Sequence, residues 1–166
     1  LLYLPLLVPQ VAFLFGAQVL LLRGNADGTL AAVAWAHLIY VLPYLFLSLA
    51  DPWRSLDPRY ARTAASLGAS PVRVFFAVKL PILARPAAIA CAVAFSVSAG
   101  LYLPTLFAGN GLVPTLTTEA VTLSSGADRR VIGTWALVQA LVPLAAYAAA
   151  VLLPARWGAG RTGRAA

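Results

Sequence analysis

Few side chains in this chain could handle a proton or a polar solute: His37, Ser96, Ser98 and Glu119, with Gly100 as a point of close backbone approach. His37 is the only histidine and sits inside the apolar run Leu30–Ala50. An ionisable group in such a run can relay a proton or hold a solute, and a neutral imidazole can also simply hydrogen-bond across helices. No second histidine or carboxylate stands near His37 in sequence, so a relay lacks its next member. Ser96, Ser98 and Gly100, with Tyr102 and Thr105 beyond, fall in a small-residue stretch that suits either tight helix packing or a polar path. Ser96 or Ser98 with His37 is also the one combination that offers a nucleophile and a base. The apolar runs hold no Asp or Glu to orient it. Cys91 is alone, which leaves no disulfide framework and no cysteine metal site. No glycine-rich phosphate loop ending in Gly-Lys-Ser/Thr is present, so the chain cannot bind nucleotide by that route.

These residues need elements to position them, and composition defines the class. The chain has 166 residues, 61% hydrophobic and 10% charged. A soluble domain of this size cannot hide so much apolar surface. The patterning predicts an all-α integral membrane protein with four transmembrane helices at about 1–22, 30–50, 87–107 and 131–153. A loop at 51–86 would separate the second span from the third. A segment at 108–130 is too polar to span and too apolar to be free in water. Within it Leu116, Ala120 and Leu123 recur at helical spacing, and Glu119 points from another face. Pro154 is expected to end the last span, leaving a basic, disordered tail at 155–166.

The net charge of +7 does not indicate nucleic acid, because the basic residues flank apolar spans and form no stripe with aromatics. Of the twelve Lys and Arg residues, Arg54, Arg59, Arg62, Arg73, Lys79 and Arg85 lie in the 51–86 loop and Arg156, Arg161 and Arg164 in the tail. Only Arg23, Arg129 and Arg130 fall on the other side. The asymmetry puts loop, tail and both termini in the cytoplasm.

Within that loop, Asp57–Pro81 carries two helix starts. Asp57 before Pro58 and Ser70 before Pro71 each pair an N-cap oxygen with a proline whose missing N–H has no partner in a first turn. Gly68 between them can close a helix in the left-handed conformation. The spacing predicts a helix Pro58–Leu67, a turn at Gly68–Ala69, and a second amphipathic helix Pro71–Lys79, with Val72, Phe75 and Phe76 on one face, stopped by Pro81.

This stretch resembles the coupling loop of the MetI-like inner-membrane permeases of binding-protein-dependent ABC importers. Their loop reads Glu-Ala-Ala, three residues, Gly, nine residues, Ile, one residue, Leu-Pro. Here Arg62-Thr63-Ala64 stands for Glu-Ala-Ala, Gly68 for the glycine, Val78 for Ile, and Leu80-Pro81 closes the motif. Arg62 and Thr63 depart from the pattern. Tyr60, Leu67, Ser70 and Pro71 are also similar to common members. The resemblance implies a permease subunit that forms part of a solute path and binds no cofactor itself. ATP would be hydrolysed on separate ABC ATPase subunits docked at Tyr60–Pro81, including Arg73, Phe75 and Phe76. It further implies a second permease subunit or half, a periplasmic solute-binding protein, and a bacterial inner-membrane location.

In the family the loop fits a cleft on the ATPase, and a Thr-rich short helix sits near the outer mouth of the path. Leu101–Arg130 looks most like permeases of thiamine or small oxyanion systems. The family also has spans ahead of the one matching Leu1–Leu22, so the chain is expected to be a C-terminal part or a truncated member. The competing readings are a structural membrane anchor or assembly subunit and a membrane-embedded enzyme.

Overall fold

The computed structural model describes residues 3–126 and 128–162. It is all-helical, with no strand among the described residues. The elements are α1 (Leu4–Leu7), α2 (Gln10–Arg23), α3 (Leu30–Arg54), α4 (Pro58–Ser66), α5 (Pro71–Val74), a π-helical turn (Phe75–Lys79), α6 (Leu80–Gly100), α7 (Leu103–Gly109), α8 (Leu116–Ser124) and α9 (Arg129–Thr162). Among the described residues, three helices are long and apolar enough to cross a membrane: Leu30–Arg54, the continuous run Pro71–Gly100, and Arg129–Leu152. Helix α6 packs between α3 and α9, and α7 folds back against α2 and α3.

The first predicted span is not a single helix. It is divided into α1 and the 14-residue α2, about 21 Å long at 1.5 Å per residue, against the roughly 30 Å of a bilayer core. Pro9 causes the division. It disfavours helix at Val8, and its own backbone lies at φ −53°, ψ 120°. Leu1 and Leu2 lie outside the described residues.

Helix α3 runs through Pro43 and Pro52, four residues past the predicted end at Ala50. The extension lets Trp53 meet Phe75, ring centroids 6.4 Å apart, and brings the Lys79 ammonium within 5.6 Å of the Trp53 ring. Pro81 does not stop its helix. In the preceding π-turn the Leu80 N–H donates five residues back to Phe75. The wider turn gives the Pro81 ring room where a regular turn would press it on the carbonyl four residues earlier.

The third predicted span, 87–107, is interrupted. Helix α6 ends at Gly100, Leu101 is extended at φ −76°, ψ 94°, and α7 starts at Leu103. Pro104 has no N–H for the Gly100 carbonyl, so the ladder cannot cross this point.

Helix α9 begins at Arg129 and its backbone continues past Pro154 to Thr162, so the predicted tail starts as helix. The rest of that tail, 163–166, lies outside the described residues.

A small buried cluster lies at the end of the bundle away from the 55–70 loop. Ala32, Val33, Ala36 and Ala108 are buried together there, where α7 meets α3. Gly109 permits the contact, because an added Cβ would come within 3.1 Å of Val33 and 3.2 Å of Val113. The turn before α3 is tied to the same place by Gly28 N–H donating to the Ala108 carbonyl at 3.0 Å.

Candidate functional site

Two groups of residues stand out, at opposite ends of α3 and α6. The first surrounds the break after Gly100. His37 lies seven residues into α3, roughly 10 Å along its axis. Its Nδ1 is 2.8 Å from Ser98 Oγ on α6, and its Nε2 is 2.7 Å from Thr105 Oγ1 on α7. The proton positions follow from the far end of this chain. Thr105 Oγ1 donates to the Leu101 carbonyl at 2.5 Å, so it accepts from His37 Nε2–H. Nδ1 is then the lone pair, and Ser98 O–H donates to it. Each member is satisfied with the imidazole neutral, and the chain ends on a carbonyl that the helix break left free. Thr105 is 1% exposed. The sequence placed it only beyond the candidate path residues, yet it is the group that joins His37 to the break.

The carbonyl of Ala99 is caught in the same way. Thr117 of α8 donates its hydroxyl to it, and Gln139 Nε2 of α9 donates at 2.7 Å. Gln139 and Thr117 are themselves 3.0 Å apart. Three helices are thereby stitched together at one peptide. Ser96 stays out of this network and donates to Ala92 O in its own helix at 2.8 Å. Gly100 is exposed at the break. Glu119 is half-buried in the first turn of α8, and its backbone N–H donates to Thr115 O at 2.9 Å. Thr115 and Thr118 cap that helix reciprocally. Thus His37 and Ser98 come together, Gly100 lies alongside, and Ser96 and Glu119 bond elsewhere. Gln139 and Thr117 were readable only as isolated polar residues, because their partner is a backbone carbonyl far away in sequence.

The second group is the α4–α5 loop. Asp57 Oδ1 accepts from Arg59 N–H at 2.8 Å, and the Ser70 hydroxyl oxygen accepts from Arg73 N–H at 3.4 Å. Gly68 has φ +81° with open space around its missing Cβ. The loop presents apolar side chains outward: Leu67 is 83% exposed, Phe76 61% and Tyr60 58%. Arg62, Ser70, Pro71, Arg73, Leu80 and Pro81 are exposed as well, Phe75 nearly as much, and Ala64 is half-buried. Phe75 and Phe76 meet edge to face, centroids 5.1 Å apart.

The described residues form an all-helical bundle, with a capped helix–turn–helix between two membrane-length helices and polar groups gathered at a broken helix, as in a multi-pass membrane protein. Comparison with known proteins narrows this class. The chain is 42% identical over 156 residues, 94% of its length, to the inner membrane ABC transporter permease protein YnjC of Escherichia coli K12. It is 39% identical over 92 residues, 54% of its length, to the molybdenum transport system permease protein ModB of Mycobacterium tuberculosis, and equally to that of Mycobacterium bovis. This chain is therefore a homologue of the ABC transporter permeases. It spans about 30% of the length of YnjC, and its match spans 35% of ModB. No family model matches the chain, and no solved structure matches it.

Proposed function

We propose that this chain is a portion of an inner-membrane ABC importer permease, forming part of the solute path and coupling it to a separate ATPase subunit. The observation that carries the reading is the 55–81 loop. Outward apolar side chains on rigid, self-capped helices need a partner surface in water, and two membrane-length helices hold them at a fixed place. The basic residues around the loop orient it to the cytoplasm, where ATP is available. In this reading α1 and α2 together make a fourth, interrupted span, and both ends of the chain face the cytoplasm.

Closure of the ATPase pair would push on Tyr60, Leu67, Phe75 and Phe76. The continuous run Pro71–Gly100 would carry that push as a rigid rod to the break at Gly100. ATP hydrolysis stays on the partner. A second permease half and a periplasmic solute-binding protein complete the machine, and nucleic acid has no part in it. The path candidates are His37, Ser98 and Gly100, with Ser96 and Glu119 at its margins.

The test is Gly68→Val. A β-branched residue at φ +81° is strained, which should misdirect α5 while leaving membrane insertion intact. ATP-driven uptake should then fall to background, and unchanged uptake would remove the docking role.

The contact between Ser98 and His37 is the one feature that favours a membrane enzyme. Its third member is a threonine bound to a backbone carbonyl, which holds the imidazole but supplies no negative charge to stabilise an imidazolium. The geometry suits a structural tie.

A further inference from the structure

Beside the break in α6 lies an open cavity of about 490 Å³, within the range of small-molecule sites. The start of α2 (Gln10), the middle of α3 (Tyr40, Tyr44) and the unwound stretch Gly100–Tyr102 contribute to its wall. No Lys, Arg, His, Asp or Glu lines it among the described residues, although the chain carries net charge +7. Three tyrosines do, and the negative faces of their rings attract cations. The wall also includes the C-terminal end of α6, where the helix dipole is negative. Pro104 has no N–H for the Gly100 carbonyl there, so this acceptor lacks its ladder partner. Tyr40 adds an independent observation. It is 5% exposed, and its hydroxyl oxygen has no hydrogen-bond partner. A buried phenol hydroxyl without a partner is open to a polar group of a bound solute, as acceptor or as donor.

We propose that this cavity binds a small organic cation, held by Tyr40, Tyr44 and Tyr102 and by the Gly100 carbonyl. Three aromatic rings, the end of α6 and the Gly100 carbonyl favour positive charge, against the starts of α2 at Gln10 and α7 at Leu103, and no cationic side chain on the wall repays the desolvation of an anion. The inference depends on the permease reading only in making this cation a transported solute.

Binding can be read without any ATPase. The chain in nanodiscs is titrated calorimetrically with choline, with its uncharged isostere 3,3-dimethyl-1-butanol, and with sulfate. Choline should bind saturably and about tenfold or more tighter than the isostere, the difference that cation–π contacts supply. Tyr44→Leu should remove most of that preference, and Tyr40→Phe should weaken choline several-fold. Equal affinity for choline and its isostere, tighter binding of sulfate, or no saturable choline binding would each overturn the proposal. So would a choline preference that survives Tyr44→Leu and Tyr102→Leu. Co-purification with an ATPase tests the docking reading separately, so either reading can fail alone.

Discussion

Two interruptions of helix, built from the same residue types, behave differently in this molecule. At Gly68-Ala69-Ser70-Pro71 and at Gly100-Leu101-Tyr102-Leu103-Pro104 a glycine is followed within a few residues by a proline that opens the next helix. The first is closed by its own side chains. Ser70 caps α5, Asp57 caps α4, and Gly68 supplies a positive φ. The second is closed largely by other helices. Thr117 and Gln139 reach the Ala99 carbonyl, Thr105 closes Leu101 O from four residues on while tying it to His37, and Gly100 needs no unusual φ. In the proposed reading the locally closed turn is the surface offered to a partner. A turn closed by other helices sits among them and reports their positions.

This contrast can be broken or sharpened by substitution. The largest effect belongs to Gly68→Val, which should abolish coupled uptake while near-normal amounts of protein reach the membrane. Next is Thr105→Val, which keeps shape but leaves the His37 N–H and the Leu101 carbonyl without partners. We expect a loss of about 1–3 kcal/mol in detergent unfolding. A similar loss in the corresponding local variant, Ser70→Ala, would blur the distinction. That variant should cost about 1 kcal/mol, the usual value of an exposed N-cap, read by the same unfolding assay. Gln139→Leu should cost less than Thr105→Val, because Thr117 still donates to Ala99 O. The smallest effect is that of Gly100→Ala, within about 0.5 kcal/mol, since nothing lies within 4 Å of the added carbon. A large loss there would mean that the break depends on glycine itself.

The same contrast explains what could be read from the chain. The caps at Asp57 and Ser70 and the turn at Gly68 were legible because donor, acceptor and special φ lie within four residues of one another. The motif Arg62–Pro81 was legible only through its resemblance to a family's loop. The break at Gly100 carried comparable punctuation in Gly100 and Pro104. It was masked by continuous hydrophobicity, which reads alike for one long helix or for two. Pro81 misled in the opposite sense. Its rule assumes a regular turn before it, and the π-turn at Phe75–Lys79 leaves no composition signal. Pro52 was overridden by packing of Trp53 on Phe75 and Lys79. The site was legible only in part. His37 and Ser98 were singled out for their chemistry, but their pairing spans 61 positions; Thr105's link to His37 spans 68, and Thr117 and Gln139 bond to an Ala99 carbonyl that no sequence pattern marks.

The central claim is that the 55–81 loop faces the cytoplasm and bears on an ATPase. It is tested most directly by Leu67→Cys in a background with the exposed Cys91 replaced by serine. In intact cells a membrane-impermeant maleimide should leave this cysteine unlabelled, and in inverted vesicles the cysteine should cross-link to an ATPase subunit and stop ATP-driven uptake. Labelling from outside the cell, or a cross-link to no ATPase, would contradict the account.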